Sequence, residues 1–343
     1  MAPHRQSRQI ATGAAEMAVA LITGGAGFIG SNLADALSAD GRVVHVVDDL
    51  SNGDPRRLPP EAELHRVDVR DGEALERVVA DAAPRTIFHL AAQADVRRAV
   101  EEPTHDAGVN IVGTINVLEA ARKVGARVVF ASTGGAAYGE YEGLPIPTSE
   151  EHAPRPLSQY GMSKVAAEGY CLLYERLYGL ETAVLRLANV YGPRQDPHGE
   201  AGVVAIFCGC VLAGRAPKVF GDGLQTRDYV YVGDVVRAFL AAESGPVGRT
   251  VNIGTGAESS VLDLIDGLGI PTPPEFAPAR AGELQRSALD ASLARSLYDW
   301  EPLMSLRAGL QATLASARSA AEHPDRRAPG AFDAALAPPA GRA

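Results

Sequence analysis

The apolar run Val19-Ala20-Leu21-Ile22-Thr23 leads without a break into Gly24-Gly25-Ala26-Gly27-Phe28-Ile29-Gly30. The first segment reads as a short buried strand and the second as a tight turn that opens a helix. Gly24 permits the turn, Gly27 lets backbone approach a pyrophosphate, and Gly30 allows the helix to pack close on the sheet. Phe28 and Ile29 open the helix, whose N-terminus adds a partial positive charge. A strand, a phosphate-binding turn and a helix in this order predict a parallel α/β domain built around a dinucleotide.

The residues that follow keep the alternation. Helices are predicted over 28–39, 72–82, 109–124 and 158–178. Strands are predicted over 43–47, 64–67, 86–90, 127–131 and 182–187. Alternating strand and helix implies a doubly wound parallel sheet. After Asn189 the alternation is lost and Gly and Pro rise. A dinucleotide-binding domain is therefore expected over 18–188 plus about 229–256, with Val251–Ile253 returning to the sheet. A smaller, discontinuous substrate lobe is expected over 189–228 plus about 257–316. Residues 1–17 read as a loose leader and 317–343 as a disordered tail.

Composition narrows the function classes. The chain has 343 residues and a net charge of −10, which argues against non-specific nucleic-acid binding. No apolar run reaches 18 residues, so no membrane span is expected. The first 18 residues carry no apolar signal core. Three cysteines, Cys171, Cys208 and Cys210, fit a reducing compartment, and a cytoplasmic location is expected. Cys208 and Cys210 stand among apolar residues with no ligand partner nearby, which favours core packing over a metal.

Asp48 ends the second strand, 24 residues after Gly24. A carboxylate there accepts ribose hydroxyls and repels a 2′-phosphate, which favours NAD over NADP. The plainer reading is that Asp48 or Asp49 caps a turn. Asp68 and Val69 are expected at the adenine edge, and Leu90, Ala91, Ala92 and Gln93 along the diphosphate and ribose. Tyr160 and Lys164 stand four apart, so a helix places them on one face. A phenol titrates near 10 when unperturbed. The lysine charge is expected to lower it, making Tyr160 a base toward a sugar hydroxyl. Thr133, with Ser132 as second choice, is expected to share that proton. Either hydroxyl could instead cap backbone.

These motifs together resemble the extended short-chain dehydrogenase/reductase superfamily, in its nucleotide-sugar epimerase and dehydratase group. The likeness runs from about Val19 to Gly309. It rests on the glycine turn, Asp48, Asp68, His89 to Gln93, Asn110, Tyr160 with Lys164, Arg186 to Pro193, Gly221-Asp222-Gly223 and Gln225 to Asp228. It is greatest to proteins of the UDP-glucose 4-epimerase type. The resemblance implies a Rossmann lobe that holds NAD, with Asn110 at the cofactor site, and a C-terminal lobe that holds a nucleotide sugar such as a UDP-hexose. It implies that Asn189, Arg227 and Arg280 meet the diphosphate, that Val219 and Phe220 lie near the base, and that Glu283 holds a ribose hydroxyl. Ser287, a small residue, would leave room for a 2-acetamido group. A homodimer is implied through helices at about 100–122 and 158–178.

Two departures matter. The hydroxyl expected four residues before Tyr138 is absent, because Gly134 stands there and Thr133 precedes it. Dehydratases carry Asp and Glu after the active Thr, whereas this chain has Gly134 and Gly135. Water elimination is thereby disfavoured unless Glu140 or Asp95 substitutes. Two more activities fit the same motifs less well. A glucuronate 4-epimerase would want a cation from Arg97, Arg98, Arg194 or His198. A non-catalytic NAD-binding regulator is opposed by retention of the Tyr/Lys pair.

Overall fold

The structure, a computed structural model, describes residues 18–140, 142–197, 202–280, 282–323 and 327–332. The chain begins with β1 (Val19–Thr23), α1 (Phe28–Ala39), β2 (Val43–Val47), β3 (Glu63–His65), α2 (Gly72–Ala82) and β4 (Thr86–His89). Next come α3 (Val96–Glu101), α4 (Pro103–Ala107), a π-type turn over Gly108–Val112, and α5 (Gly113–Val124). The first half closes with β5 (Arg127–Thr133), α6 (Gly134–Ala137), α7 (Gln159–Tyr178) and β6 (Thr182–Leu187).

The second half holds β7 (Asn189–Tyr191), α8 (Val203–Ala213), β8 (Lys218–Phe220), β9 (Thr226–Arg227) and β10 (Tyr229–Tyr231). It continues with α9 (Val232–Ser244), β11 (Arg249–Ile253), β12 (Ser259–Ser260), α10 (Val261–Leu268), β13 (Glu275–Ala277), α11 (Ser292–Tyr298) and α12 (Leu306–Glu322).

Seven parallel strands form the main sheet in the order β3-β2-β1-β4-β5-β6-β11. Strand order reverses between β1 and β4, the point at which such sheets bind ligands. One face packs on α1 and α9 through residues such as Leu33, Phe88, Phe239 and Trp300. The other packs on α2, α5 and α7 through Leu75, Leu118, Phe130 and Cys171. Continuous apolar runs such as Val128–Ala131 follow from burial on both faces. A third core, with Phe207, Val219, Leu264 and Leu310, joins α8, α10 and α12 into the second lobe. Cys208 is buried there.

Three expectations are corrected. Leu289, Ala294, Tyr298 and Trp300 fall within the expected substrate lobe, yet they pack in the sheet's own core because α11 lies on β11 and α9. The expected tail is ordered in part. α12 runs to Glu322, and residues 327–332 fold back on α1, where the Ala331 N–H donates to Asn32 Oδ1 at 2.7 Å. Residues at helical spacing within α12 (Leu310, Thr313, Leu314) supply the burial that composition alone does not suggest. The predicted helix over 109–124 begins instead as the π-type turn, preceded by two short helices. The expected leader, 1–17, and the last part of the tail, 333–343, lie outside the described residues.

Candidate active site

The glycine turn is built as the sequence implies. Gly24 has φ +69°, and a Cβ there would stand 2.7 Å from the Ala91 nitrogen. A Cβ on Gly30 would overlap the Gly24 carbonyl oxygen, so the turn and the helix close on each other without side chains. Gly27 meets only that same carbonyl, at 3.2 Å, and lines a cleft of about 270 Å³ at the carboxyl ends of β1, β2 and β4. Asp48, Asp49, Asp68, Val69, Leu90, Ala91, Ala92 and Gln93 line the same cleft. Phe28 and Ile29 do not line it; their side chains pack toward the second lobe's core. A bare glycine cradle facing a helix N-terminus, with a carboxylate at the tip of β2, fits a dinucleotide.

Asp48 accepts hydrogen bonds from the Ala26 and Leu50 nitrogens, both at 2.9 Å. Burial raises its pKa, and those two bonds oppose the rise. Asp49 caps its own turn through Ser51, as the plainer reading holds. Asp68 is paired with Arg70.

Asn110 is a brace rather than a wall. It is buried, accepts from the Gln93 N–H at 2.9 Å, and donates to Gln93 O, Asp106 Oδ1 and Ser163 Oγ. Its expected place at the cofactor is corrected for that reason: its donors already serve the protein. This brace ties the Gln93 wall to α7, the helix that carries Tyr160 and Lys164.

The Thr133 side chain stands on the Tyr160 side of β5, where it acts to lower the phenol's pKa. Thr133 also accepts from the Ala136 N–H at 3.2 Å. Ser132 points elsewhere, donating to Glu168 at 2.5 Å. There it joins the buried Glu168–Arg186 pair, 2.7 Å apart, and Tyr138 beyond it. Of the two hydroxyls, the structure brings Thr133 alone to the phenol. Successive residues of a strand face opposite ways, and this decides between them.

The expected influence of Lys164 is also corrected. Burial pushes the Tyr160 phenol up to about 12, Asp106 adds to the rise, and Thr133 opposes it. The Lys164 ammonium is itself lowered to about 8 by burial, and its Nζ sits 4.2 Å above the Phe130 ring. Desolvation, rather than the lysine charge, sets the direction of the shift. Asp106, buried and bonded to Gln93 and Asn110, escapes a reading of the sequence. Its only signal is an acid one turn before Asn110. His89, fully buried between Thr23 and Thr114, is held neutral, its pKa lowered by burial to about 3.

On the substrate side, Asn189 Oδ1 lies 3.4 Å from where a Cβ on Gly135 would stand. The Asn189 N–H donates to the Asp228 carbonyl. Arg227 faces Glu283 at 3.5 Å, and the exposed Arg280 stacks on Phe220 at 3.9 Å. Ser287 is partly buried nearby in the chain. The Val219 side chain is buried in the lobe's core, and Phe220 beside it is the more open of the two. Glu140 accepts from the Gln285 N–H and Asp95 caps α3, so both acids already have structural tasks. Arg98 pairs with Glu102, and Arg194 is buried against Asp35. His198 lies outside the described residues. A larger groove, about 410 Å³, lies between α8, α12 and residues 192–197, and none of the cofactor or catalytic candidates lines it.

The fold and site define an oxidoreductase-type dinucleotide site of the extended short-chain dehydrogenase/reductase kind. The model of the NAD dependent epimerase/dehydratase family matches residues 20–254, and the chain belongs to that family. It is an NAD-dependent enzyme of the epimerase class. A UDP-glucose 4-epimerase of Mycolicibacterium smegmatis is 48% identical over 306 residues, covering 86% of this chain and 96% of that protein. The crystal structure of a UDP-glucose 4-epimerase from Thermotoga maritima with UDP-glucose superposes with a TM-score of 0.86 at 44% identity, covering 88% of this chain and 99% of that one. The Thermus thermophilus enzyme, solved with NAD, gives 0.83 at 42% identity, with coverage of 88% and 99%. Among the described residues no helix is long and apolar enough to cross a membrane.

Proposed function

We propose that the chain interconverts the C4 epimers of a UDP-hexose, UDP-glucose and UDP-galactose, through a transient 4-keto sugar. The observation that carries this reading is the buried Tyr160 phenol with Thr133 beside it and Lys164 one turn further on, on a helix braced to the wall of a glycine-lined dinucleotide cleft. Gly24, Gly27, Asp48 and the Leu90–Gln93 wall would hold the cofactor. Bound oxidised NAD supplies the hydride acceptor and a positive charge that favours the phenolate. Tyr160 takes the C4 hydroxyl proton, with Thr133 donating to the phenolate oxygen, and later returns it. Asn189, Arg227 and Arg280 would grip the diphosphate, a task suited to guanidinium forks. Glu283 orients Arg227 and is placed to meet a ribose hydroxyl, and Phe220 offers a flat face for the base.

Elimination of water is the weaker reading. An acid at position 134 is needed for it, and a Cβ there would overlap the Leu289 side chain. A homodimer and a cytoplasmic location complete the proposal. Val96 and Val100 of α3, and Met162, Leu172 and Leu177 of α7, are large apolar residues left exposed on two helices that touch. Ser287 supports some turnover of the 2-acetamido sugar.

The test is proton NMR of the product formed from UDP-galactose. Wild type should yield UDP-glucose without added cofactor turnover. Tyr160→Phe should lose about 10²–10⁴ of the rate and keep its NAD. A wild-type enzyme that leaves UDP-galactose unchanged, or a Tyr160→Phe variant at full rate, would overturn the reading.

A further inference from the structure

The outer edge of the main sheet carries a side-chain cluster that the cofactor cleft does not use. β3 is the edge strand, and its register on β2 sets His45 opposite Glu63, with His65 two residues on. Side chains two apart on a strand share a face, so all three project together. His45 Nδ1 lies 3.0 Å from His65 Nε2. Glu63 Oε2 lies 3.5 Å from the first nitrogen and Glu63 Oε1 lies 3.7 Å from the second. The two rings stack at 17° with centroids 5.3 Å apart. The imidazoles are largely buried, at 14% and 22% exposure, while the carboxylate remains open to solvent at 64%.

A tetrahedral zinc ion holds nitrogen and oxygen ligands at about 2.0–2.2 Å, which sets neighbouring ligand atoms about 3.4 Å apart. The nitrogen–nitrogen separation and the shorter contact each carboxylate oxygen makes lie within a few tenths of an ångström of that value, and one ligand atom from each residue lies within 4.8 Å of the other two. A hydrogen bond between the two rings accounts for the 3.0 Å contact. The Glu63 carboxylate converges on the same two nitrogens and adds an oxygen donor to them. Two imidazoles and a carboxylate are also a donor set that suits zinc.

We propose that His45, Glu63 and His65 form a divalent-metal site that takes Zn²⁺, with the fourth position left to water. None of the three lines the cofactor cleft. The ion would clamp the edge strand to β2 just before Asp48, whose N–H donates to the His65 carbonyl at 3.1 Å. Its effect would be to hold the strand tip that carries Asp48.

The full chain, stripped with a chelator, is titrated with ZnCl₂ by calorimetry and with CoCl₂ by visible absorption. Wild type should take one ion per chain, and cobalt should show the intense bands of tetrahedral coordination. His45→Ala and His65→Ala should each weaken binding by at least about tenfold, since loss of even an outer-sphere partner costs that much. Zinc should raise the thermal midpoint of wild type and leave that of the alanine variants unmoved. Unchanged binding in either variant, or a wild-type chain that takes up no ion, overturns the proposal. Should a variant fail to fold, the wild-type cobalt spectrum still decides: octahedral bands or none overturn it.

Discussion

Ser132 and Thr133 offer the same hydroxyl one residue apart and reach opposite sides of β5. Thr133→Ala removes the phenol's donor and should cost about 10²-fold in kcat with little change in thermal stability. Ser132→Ala leaves Glu168 one hydrogen bond short and should cost about 1.5–3 kcal/mol with turnover nearly intact, a split that chemical denaturation and steady-state kinetics read directly. Asp106 acts on the phenol by charge alone. Its negative charge raises the Tyr160 pKa, so Asp106→Asn should lower it, moving the rising limb of the rate against pH to lower pH. A limb that stays in place or moves up would refute that role. The hydroxyl pair, the phenol and the lysine are all legible as residue types. Which hydroxyl faces the phenol is not, because pairing register and strand facing are tertiary facts. Nor is the direction of the Tyr160 shift, because it depends on how completely the site excludes water.

At the scale of elements, the glycine turn, α1, β2 and β6 follow the sequence pattern residue for residue, since each has one strong local cause. Gly30→Ala forces a methyl into the Gly24 carbonyl, so both fold stability and NAD retention should fall together; a variant that keeps its NAD after gel filtration would contradict this account. The second lobe is opaque to pattern for an equally physical reason. Its strands are two or three residues long, as in β9, β12 and β8, too short for any period to register. The π-type turn over 108–112 hides in the sequence because its residues look helical. It is also the segment that aims Asn110 at both Gln93 and Ser163, in keeping with the tendency of such turns to occur at functional sites.

Across the whole molecule, the residues of α7 divide into two sets. The buried stripe is Gly161, Lys164, Glu168, Cys171 and Tyr174, while Leu172 and Leu177 face outward. Sequence does not tell core from interface here, since both want apolar side chains. Replacing Leu172 and Leu177 with Glu should halve the mass measured by light scattering while leaving the unfolding midpoint of the dissociated chain close to normal. A wild-type chain that runs as a monomer would remove the dimer from the reading.

The return of residues 327–332 to α1 has a consequence for how the two lobes are coupled. Arg327 and Arg194 both pair with Asp35, Arg194 also donates to the Ala328 and Ser31 carbonyls, and Asn32 holds Ala331 while donating to Pro193 O. A single helix, the one that opens at the glycine turn, is thereby laced to both the second lobe and the last described stretch of chain. Any hinge opening between the lobes would have to unlace that seam, so nucleotide-sugar entry should proceed by local loop movement while the lobes keep a fixed mutual angle.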